Sequence, residues 1–327
     1  MKYLGHLQKT DPLYNYLCRD IMPQIGASGQ HGFRVFSNRS SHAVYIYEDR
    51  ETGKRVVGKF FASDGSDFER AKQKMYREFH NICKFRKYLG NCHYVAKPLG
   101  CREDLNCLLT VEYCHGEPLD SIILNAIRQN NYGHLYEKLS ALGNFLATVH
   151  NRSVRPVMVD FQSISRYFEL IVRQLKPVLH HKEENELMYL GDQYKKNHIM
   201  YQDQEVIVHG DATPSNFFFG DGMYVITFDL ERMHYSDRLF DTGRIAAELQ
   251  HFFLMNTENK YNAEPFIGHF LWEYSCCFPD RKKAFESITS RLPFYLGLTL
   301  LRIARNSYHS FDYRRKLIEE AKKTLKQ

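Results

Sequence analysis

Near Glu112 the hydrophobic periodicity of this 327-residue chain changes, and that change constrains its architecture more than any other feature. Before it, short β-rich runs alternate with turns. Phe33–Phe36, Ala43–Tyr47 and Arg55–Phe61 read as strands, the last two flanking Glu51-Thr52-Gly53 as in a β-hairpin. Residues 67–89 are charged and amphipathic, with Phe68, Met75, Phe79 and Ile82 at near-helical spacing. Residues 94–99 and 105–111 predict two further strands, while the first thirty residues read as helix and then loop, ending in Gly26-Ala27-Ser28-Gly29. After Glu112 the helical period dominates, over 119–129, 135–150, 164–179, 184–197, 240–255 and the C-terminal third. One hairpin interrupts it: Asn216–Phe219 and Met223–Phe228, joined by the turn Gly220-Asp221-Gly222. The expectation is a two-lobed α+β chain, with a small antiparallel-sheet lobe over 1–111, a connection at 112–117 and a larger, mostly helical lobe over 118–327.

Composition narrows the setting. The longest strongly apolar run near the C-terminus, Leu292–Leu301, is far short of a bilayer span, so no transmembrane segment is expected. The first ten residues, MKYLGHLQKT, lack the apolar core of a signal peptide. Eight cysteines at 18, 83, 92, 101, 107, 114, 276 and 277 form no CxxC and read as free thiols of a reducing compartment, hence a cytoplasmic protein. The adjacent Cys276 and Cys277 read as buried helix thiols. The net charge of +6 is unevenly spread, for residues 281–327 carry twelve Lys or Arg against four Asp or Glu. That excess is either a solvated helix face or an attraction to an anionic substrate or membrane surface. No nucleic-acid-binding module accompanies it, so no nucleic-acid partner is expected. His180, His181 and His198 lack the ligand spacing of a metal centre and read as surface histidines.

The chemistry concentrates in Val208-His209-Gly210-Asp211-Ala212-Thr213-Pro214-Ser215-Asn216-Phe217 and Ile226-Thr227-Phe228-Asp229-Leu230-Glu231. Asp211 follows an apolar strand, Asn216 opens the hairpin, and Asp229 lies at its far end, so the fold-back is expected to return Asp229 toward Asp211 and Asn216. Phosphoryl transfer needs such a set: one carboxylate to orient a hydroxyl and accept its proton, and an amide plus a carboxylate to hold Mg²⁺ against ATP phosphates. Glu231, two residues beyond Asp229 on an extended backbone, shares its face and adds a further candidate oxygen ligand.

HGDxxxxN followed by a hydrophobic strand and DxE resembles the aminoglycoside phosphotransferase and choline kinase-like family, distant relatives of protein kinases. The resemblance implies a protein-kinase-like fold and ATP- and Mg²⁺-dependent transfer of the γ-phosphate to a hydroxyl of a small molecule, such as an amino alcohol, sugar, aminoglycoside or lipid-linked glycan. It makes Asp211 the catalytic base, Asn216 and Asp229 metal ligands and His209 a brace. In Asp237-Arg238-Leu239-Phe240-Asp241, which resembles the family's DxxxD segment, Asp241 would anchor the catalytic loop. Lys59, within an apolar strand, would contact the α/β-phosphates, with Glu78 as its partner acid ahead of Glu69. Ser37, Asn38, Arg39, Ser40 and Ser41 would cover the phosphates, with hydroxyls and backbone N–H groups in place of glycines. Leu108 to Leu119 resembles the family's hinge, where the Glu112 carbonyl and Cys114 amide would meet adenine. Two other readings stay open: a protein kinase, which the DxE in place of DFG disfavours, and a nucleotide-binding pseudokinase with a regulatory role.

Overall fold

A computed structural model describes residues 1–29, 31–38, 43–63, 65 and 67–327, for Asn38 the backbone only. The chain divides into two compact units, one made of 1–87, 94–116 and 226–231, the other of 88–93, 117–225 and 232–327.

The strands of the first half are β1 (Lys2–His6), β2 (Phe33–Asn38), β3 (Ala43–Asp49), β4 (Arg55–Phe60), the short β5 (His93–Val95), β6 (Pro98–Arg102) and β7 (Leu108–Glu112). Six of them form the antiparallel sheet of the first unit, in the order β1-β2-β3-β4-β7-β6. Side chains alternate across it. Val56 joins an apolar layer with Leu13, Leu17, Ile21, Met22, Phe33, Tyr47 and Leu108. Gly58 keeps the same face closed, because a Cβ there would stand 3.0 Å from the Tyr47 ring and 3.1 Å from Leu108. Lys59, next along β4, therefore turns to the opposite face. Its register neighbours are Val44 on β3 and Leu109 on β7.

The edge strand β1 departs from the expected helical start. Four of its five residues are exposed, so no apolar alternation marks it in the sequence. It is held instead by backbone pairing to β2 and by Tyr3 against Phe36, with ring centroids 5.5 Å apart. Helix follows only at α1 (Pro12–Tyr16), which opens on Asp11, whose side chain accepts from the Leu13 N–H at 2.9 Å. Helix α2 (Phe68–Phe85) is capped by Asp67 and buries Ala71, Met75, Glu78, Ile82 and Phe85 along one stripe. Phe68, expected on that stripe, is exposed. Glu78 takes a core position instead.

The second unit is built mainly from α3 (Leu119–Gln129), α4 (Gly133–Arg152), α5 (Phe161–Gln174), α6 (His181–Lys196), α7 (Leu239–Thr257), α8 (Glu264–Ser275), α9 (Arg281–Ala304) and α10 (Phe311–Leu325). Helix α4 packs on α8, α7 on α9, and α9 on α10. A glycine sits at each contact. A Cβ would lie 3.0 Å from Tyr274 N at Gly143, 2.5 Å from Tyr295 Cβ at Gly243 and 2.5 Å from Leu325 Cγ at Gly297. Only a hydrogen fits between helices that close.

Short strands complete this unit. β8 (Glu117–Pro118) pairs with β10 (Phe217–Phe219), and β9 (Val206–Val208) pairs with β12 (His234–Ser236). β10 and β11 (Val225–Thr227), of which Ile226 and Thr227 belong to the first unit, are shorter than the sequence predicts. Their turn is closed by the Gly220 N–H donating to Tyr224 O at 3.0 Å. Lys138 staples it, donating to the carbonyls of Gly220 at 3.1 Å and Gly222 at 3.0 Å.

Two expectations about the C-terminal third are corrected. Cys276 is exposed and Cys277 only half-buried, because both fall in the turn after α8 rather than inside it. The basic excess is not simply a solvated face. Arg291 is 1% exposed and donates to Asp237 at 2.6 Å and Asp203 at 2.7 Å, while Arg238 and Tyr295 bond the same two acids. A buried guanidinium needs this many partners to offset lost hydration.

Candidate active site

In the first unit, the turned face of β4 brings Lys59 within 2.7 Å of Glu78 Oε2 and 2.7 Å of Asp229 Oδ1. The acid opposite Lys59 is thus Glu78, whereas Glu69 is exposed on the first turn of α2. Glu231 stands 4.0 Å from the same ammonium. The segment bearing these acids is tied to α2 by Asn81, whose side chain donates to Leu230 O at 2.7 Å. Asp229 has φ +59°, a left-handed conformation that Asp and Asn tolerate better than other side chains and that turns the chain sharply after β11.

Glu78, Asp229 and Glu231 each offer an oxygen within 4.8 Å of the others. Three carboxylates therefore face one ammonium. Burial pushes the Glu78 carboxyl up to about 7, with Lys59 opposing and Asp229 adding to the rise. Burial alone would lower the Lys59 pKa, but Glu78 and Asp229 outweigh it and push it up to about 12. The ammonium stays charged at neutral pH, with three carboxyl groups around it. Hard oxygen donors in surplus over their counter-charge suit a divalent cation such as Mg²⁺ or Ca²⁺.

Among the described residues, Ser37, Asn38, Glu112 and Cys114, also expected around a nucleotide, lie in the same unit. Glu112 ends β7, its side chain accepting from Tyr94 Oη at 2.5 Å and from Lys97 N at 3.3 Å. Cys114 is half-buried, and burial followed by Glu112 pushes its thiol up to about 12. Ser37 donates to Lys2 O across a long 3.5 Å, and the Asn38 backbone ends β2 opposite Val44. Arg39, Ser40 and Ser41 lie outside the described residues.

In the second unit, β9 delivers His209-Gly210-Asp211 into a loop fixed from several sides. Asp241, buried near the start of α7, accepts from His209 N at 2.6 Å and Gly210 N at 3.0 Å. Gly210 has φ +78°, and a Cβ there would fall 2.1 Å from Arg232 O, so no other residue fits. His209 Nδ1 accepts from Asp211 N at 3.2 Å, which leaves the ring proton on Nε2. The carbonyl of Asp211 accepts from Thr213 N at 2.7 Å and Asn216 Nδ2 at 2.8 Å. These bonds fix both the loop and the plane of the Asn216 amide.

The sequence reading missed the cations around Asp211. Arg302 on α9 donates to Asp211 Oδ1 at 2.9 Å, Arg244 on α7 pairs with the same oxygen, and Arg232 Nε lies 3.7 Å from Oδ2. Arg244 follows Asp241 by three residues on one helix face, a spacing visible in the sequence. Arg302 carries no such signal.

One turn beyond Arg244, Glu248 is buried, and burial together with Asp211 pushes its carboxyl up to about 8. Between 4.5, its ordinary value, and about 8 the unfolded chain releases this proton while the folded chain keeps it. Its contribution to stability is thus complete below 4.5 and falls as pH rises toward 8. Glu248→Gln removes that slope. Across the same interval, urea melts should show the unfolding free energy of the variant gaining about 3–5 kcal/mol on the wild type. Parallel pH profiles would contradict a neutral Glu248.

A profile of the phosphotransferase enzyme family matches residues 32–271, most of the chain. The chain belongs to this family. Its class of enzyme, a phosphotransferase with an alcohol group as acceptor, is the one expected from the HGDxxxxN and DxE pattern. No curated protein sequence matches the chain. Among solved structures it is similar to an ADP-bound aminoglycoside phosphotransferase, APH(2'')-Ib, at 12% identity, 96% of this chain and 97% of that one, with a TM-score of 0.61. It is also similar to amicoumacin kinase in complex with AMP-PNP and Ca²⁺, at 16% identity, covering 89% and 87%, with a TM-score of 0.57. An ethanolamine kinase of Plasmodium vivax is similar at 13% identity, covering 90% and 80%, with a TM-score of 0.54. These likenesses establish the kinase-like α+β fold. No helix among the described residues is long and apolar enough to cross a membrane.

Proposed function

We propose that this phosphotransferase uses ATP with Mg²⁺ and transfers the γ-phosphoryl group to a hydroxyl of a small molecule. The observation that carries the reading is Lys59 held 2.7 Å from both Glu78 and Asp229, a charged lysine braced by a helix acid and by the acid two residues past β11. By the family pattern, Lys59 binds the α/β-phosphates, residues 37–41 cover the phosphates, and the Glu112 carbonyl and Cys114 amide meet adenine. Asn216 and Asp229 hold the metal, with Glu231 as a further oxygen. When bound, Mg²⁺ neutralises charge on the phosphates. Asp211 orients the acceptor hydroxyl and takes its proton as the new O–P bond forms and the bond to ADP breaks. Asp241, through the backbone of His209 and Gly210, positions Asp211. Residues 1–111 serve the nucleotide, 112–117 the hinge and 118–327 catalysis and the acceptor. The eight free cysteines fit a reducing cytoplasm.

A coupled assay of ADP release tests this across neutral, cationic and anionic hydroxyl compounds. The expected result is Mg²⁺- and acceptor-dependent release, with the acceptor gaining one phosphate by mass. Robust transfer to generic protein substrates, with none to small molecules, would replace the reading with a protein kinase.

A further inference from the structure

One carboxylate needs one counter-charge, yet Asp211 has several. Arg302 and Arg244 bond it directly and Arg232 stands 3.7 Å away. Arg305, one turn after Arg302 where α9 ends, is half-buried and within electrostatic reach of Arg302, Arg232 and Asp211. Its guanidinium donates to the amide oxygen of Gln174 at 2.8 Å rather than to a carboxylate. The nearby acid, Glu248, is buried, and burial together with Asp211 favours its uncharged form. Asp241 is spent on the backbone of His209 and Gly210. Three guanidinium groups thus stand against the one carboxylate of Asp211, and Arg305 adds a fourth positive charge beside Arg302 and Arg232.

A second observation points the same way. Arg244 is 4% exposed, and its Nε makes no hydrogen bond among the described residues. Holding Asp211 in place would take one arginine. Burying a second, partly unsatisfied, and gathering two more beside it costs free energy through like-charge repulsion and desolvation. That cost is offset when an anion binds, because guanidinium forks match phosphate oxygens. A cationic acceptor would be repelled by the same arrangement.

We infer that the acceptor is itself anionic, a hydroxyl compound bearing a phosphate group, and that Arg302 and Arg305 bind this phosphate beside Asp211. The inference rests on Asp211 being the residue that faces the acceptor hydroxyl. Arg232, 49% exposed in its side chain, stands on the solvent side of the group, and Arg244 holds Asp211 from the buried side.

The test uses the full-length protein and three pairs of probes: glycerol and glycerol 3-phosphate, ribose and ribose 5-phosphate, glucose and glucose 6-phosphate. Calorimetry without ATP is expected to show at least one phosphorylated member binding tenfold or more tighter than its neutral partner. Arg305→Gln should weaken that binding at least tenfold, and Arg305→Lys should retain part of it. Affinity for AMP-PNP with Mg²⁺ should stay within about twofold in both variants, with melting temperatures confirming the fold. Equal binding of phosphorylated and neutral partners overturns the inference. So does loss of AMP-PNP affinity in Arg305→Gln, because the arginines would then serve the nucleotide. Failure of the phosphotransferase reading shows up separately, as absence of AMP-PNP binding to the wild type.

Discussion

Asp211→Asn is expected to lower kcat by about 10²–10⁴-fold while leaving the affinity for AMP-PNP with Mg²⁺ within about threefold. The substitution keeps side-chain volume. It also keeps the backbone carbonyl that accepts from Thr213 N and Asn216 Nδ2, and the bonds from His209 N and Gly210 N to Asp241, so the loop stays in place. What it removes is the negative charge that attracts a hydroxyl proton and holds Arg302 and Arg244. An interaction made mainly in the transition state lowers kcat and kcat/KM together, so single-turnover transfer at saturating ATP is the measurement to make. Near-normal transfer would remove Asp211 from the chemistry.

Asp229→Asn should act on the other side of the reaction. Asn tolerates the φ of +59° at this position, so the backbone is preserved and only charge is lost. Lys59 keeps Glu78 as a partner at 2.7 Å, which limits the effect on stability. On the proposed reading, however, a metal ligand changes from carboxylate to amide. Affinity for AMP-PNP with Mg²⁺ should fall by about tenfold to a hundredfold, and kcat/KM by more than that. Asp229→Ala adds about 1–3 kcal/mol of strain from a non-Gly residue held at positive φ. The contrast between the two variants separates charge from backbone conformation. Equal nucleotide affinity in Asp229→Asn and the wild type would exclude Asp229 as a ligand.

Much of this was legible in the sequence where a physical rule links neighbouring residues. The helix over 119–129 follows its apolar spacing residue for residue, and Lys59 stands out because it interrupts an apolar strand. The contact of Asp241 with the loop that carries Asp211 was expected from the DxxxD resemblance, and its bonds to His209 N and Gly210 N have that form. The unread parts depend on distant packing. Strand β1 is exposed and exists through pairing to β2, so it leaves no hydrophobic trace. Arg291 and Arg302 look like members of one charged helix, yet Arg291 is buried against Asp237 and Asp203 while Arg302 turns to Asp211. Which arginine goes inward is fixed by the helices that flank α9, and a linear reading carries no information about them. Glu78 sits on the stripe that buries α2, and the structure supplies Lys59 to pair with it.

The most direct test of the account is nucleotide binding, which needs no knowledge of the acceptor. Calorimetric titration of the wild-type protein with AMP-PNP should give a saturable signal that depends on Mg²⁺, and Lys59→Ala should weaken it at least tenfold. Binding that is absent with Mg²⁺ present, or unaffected by Lys59→Ala, would contradict it.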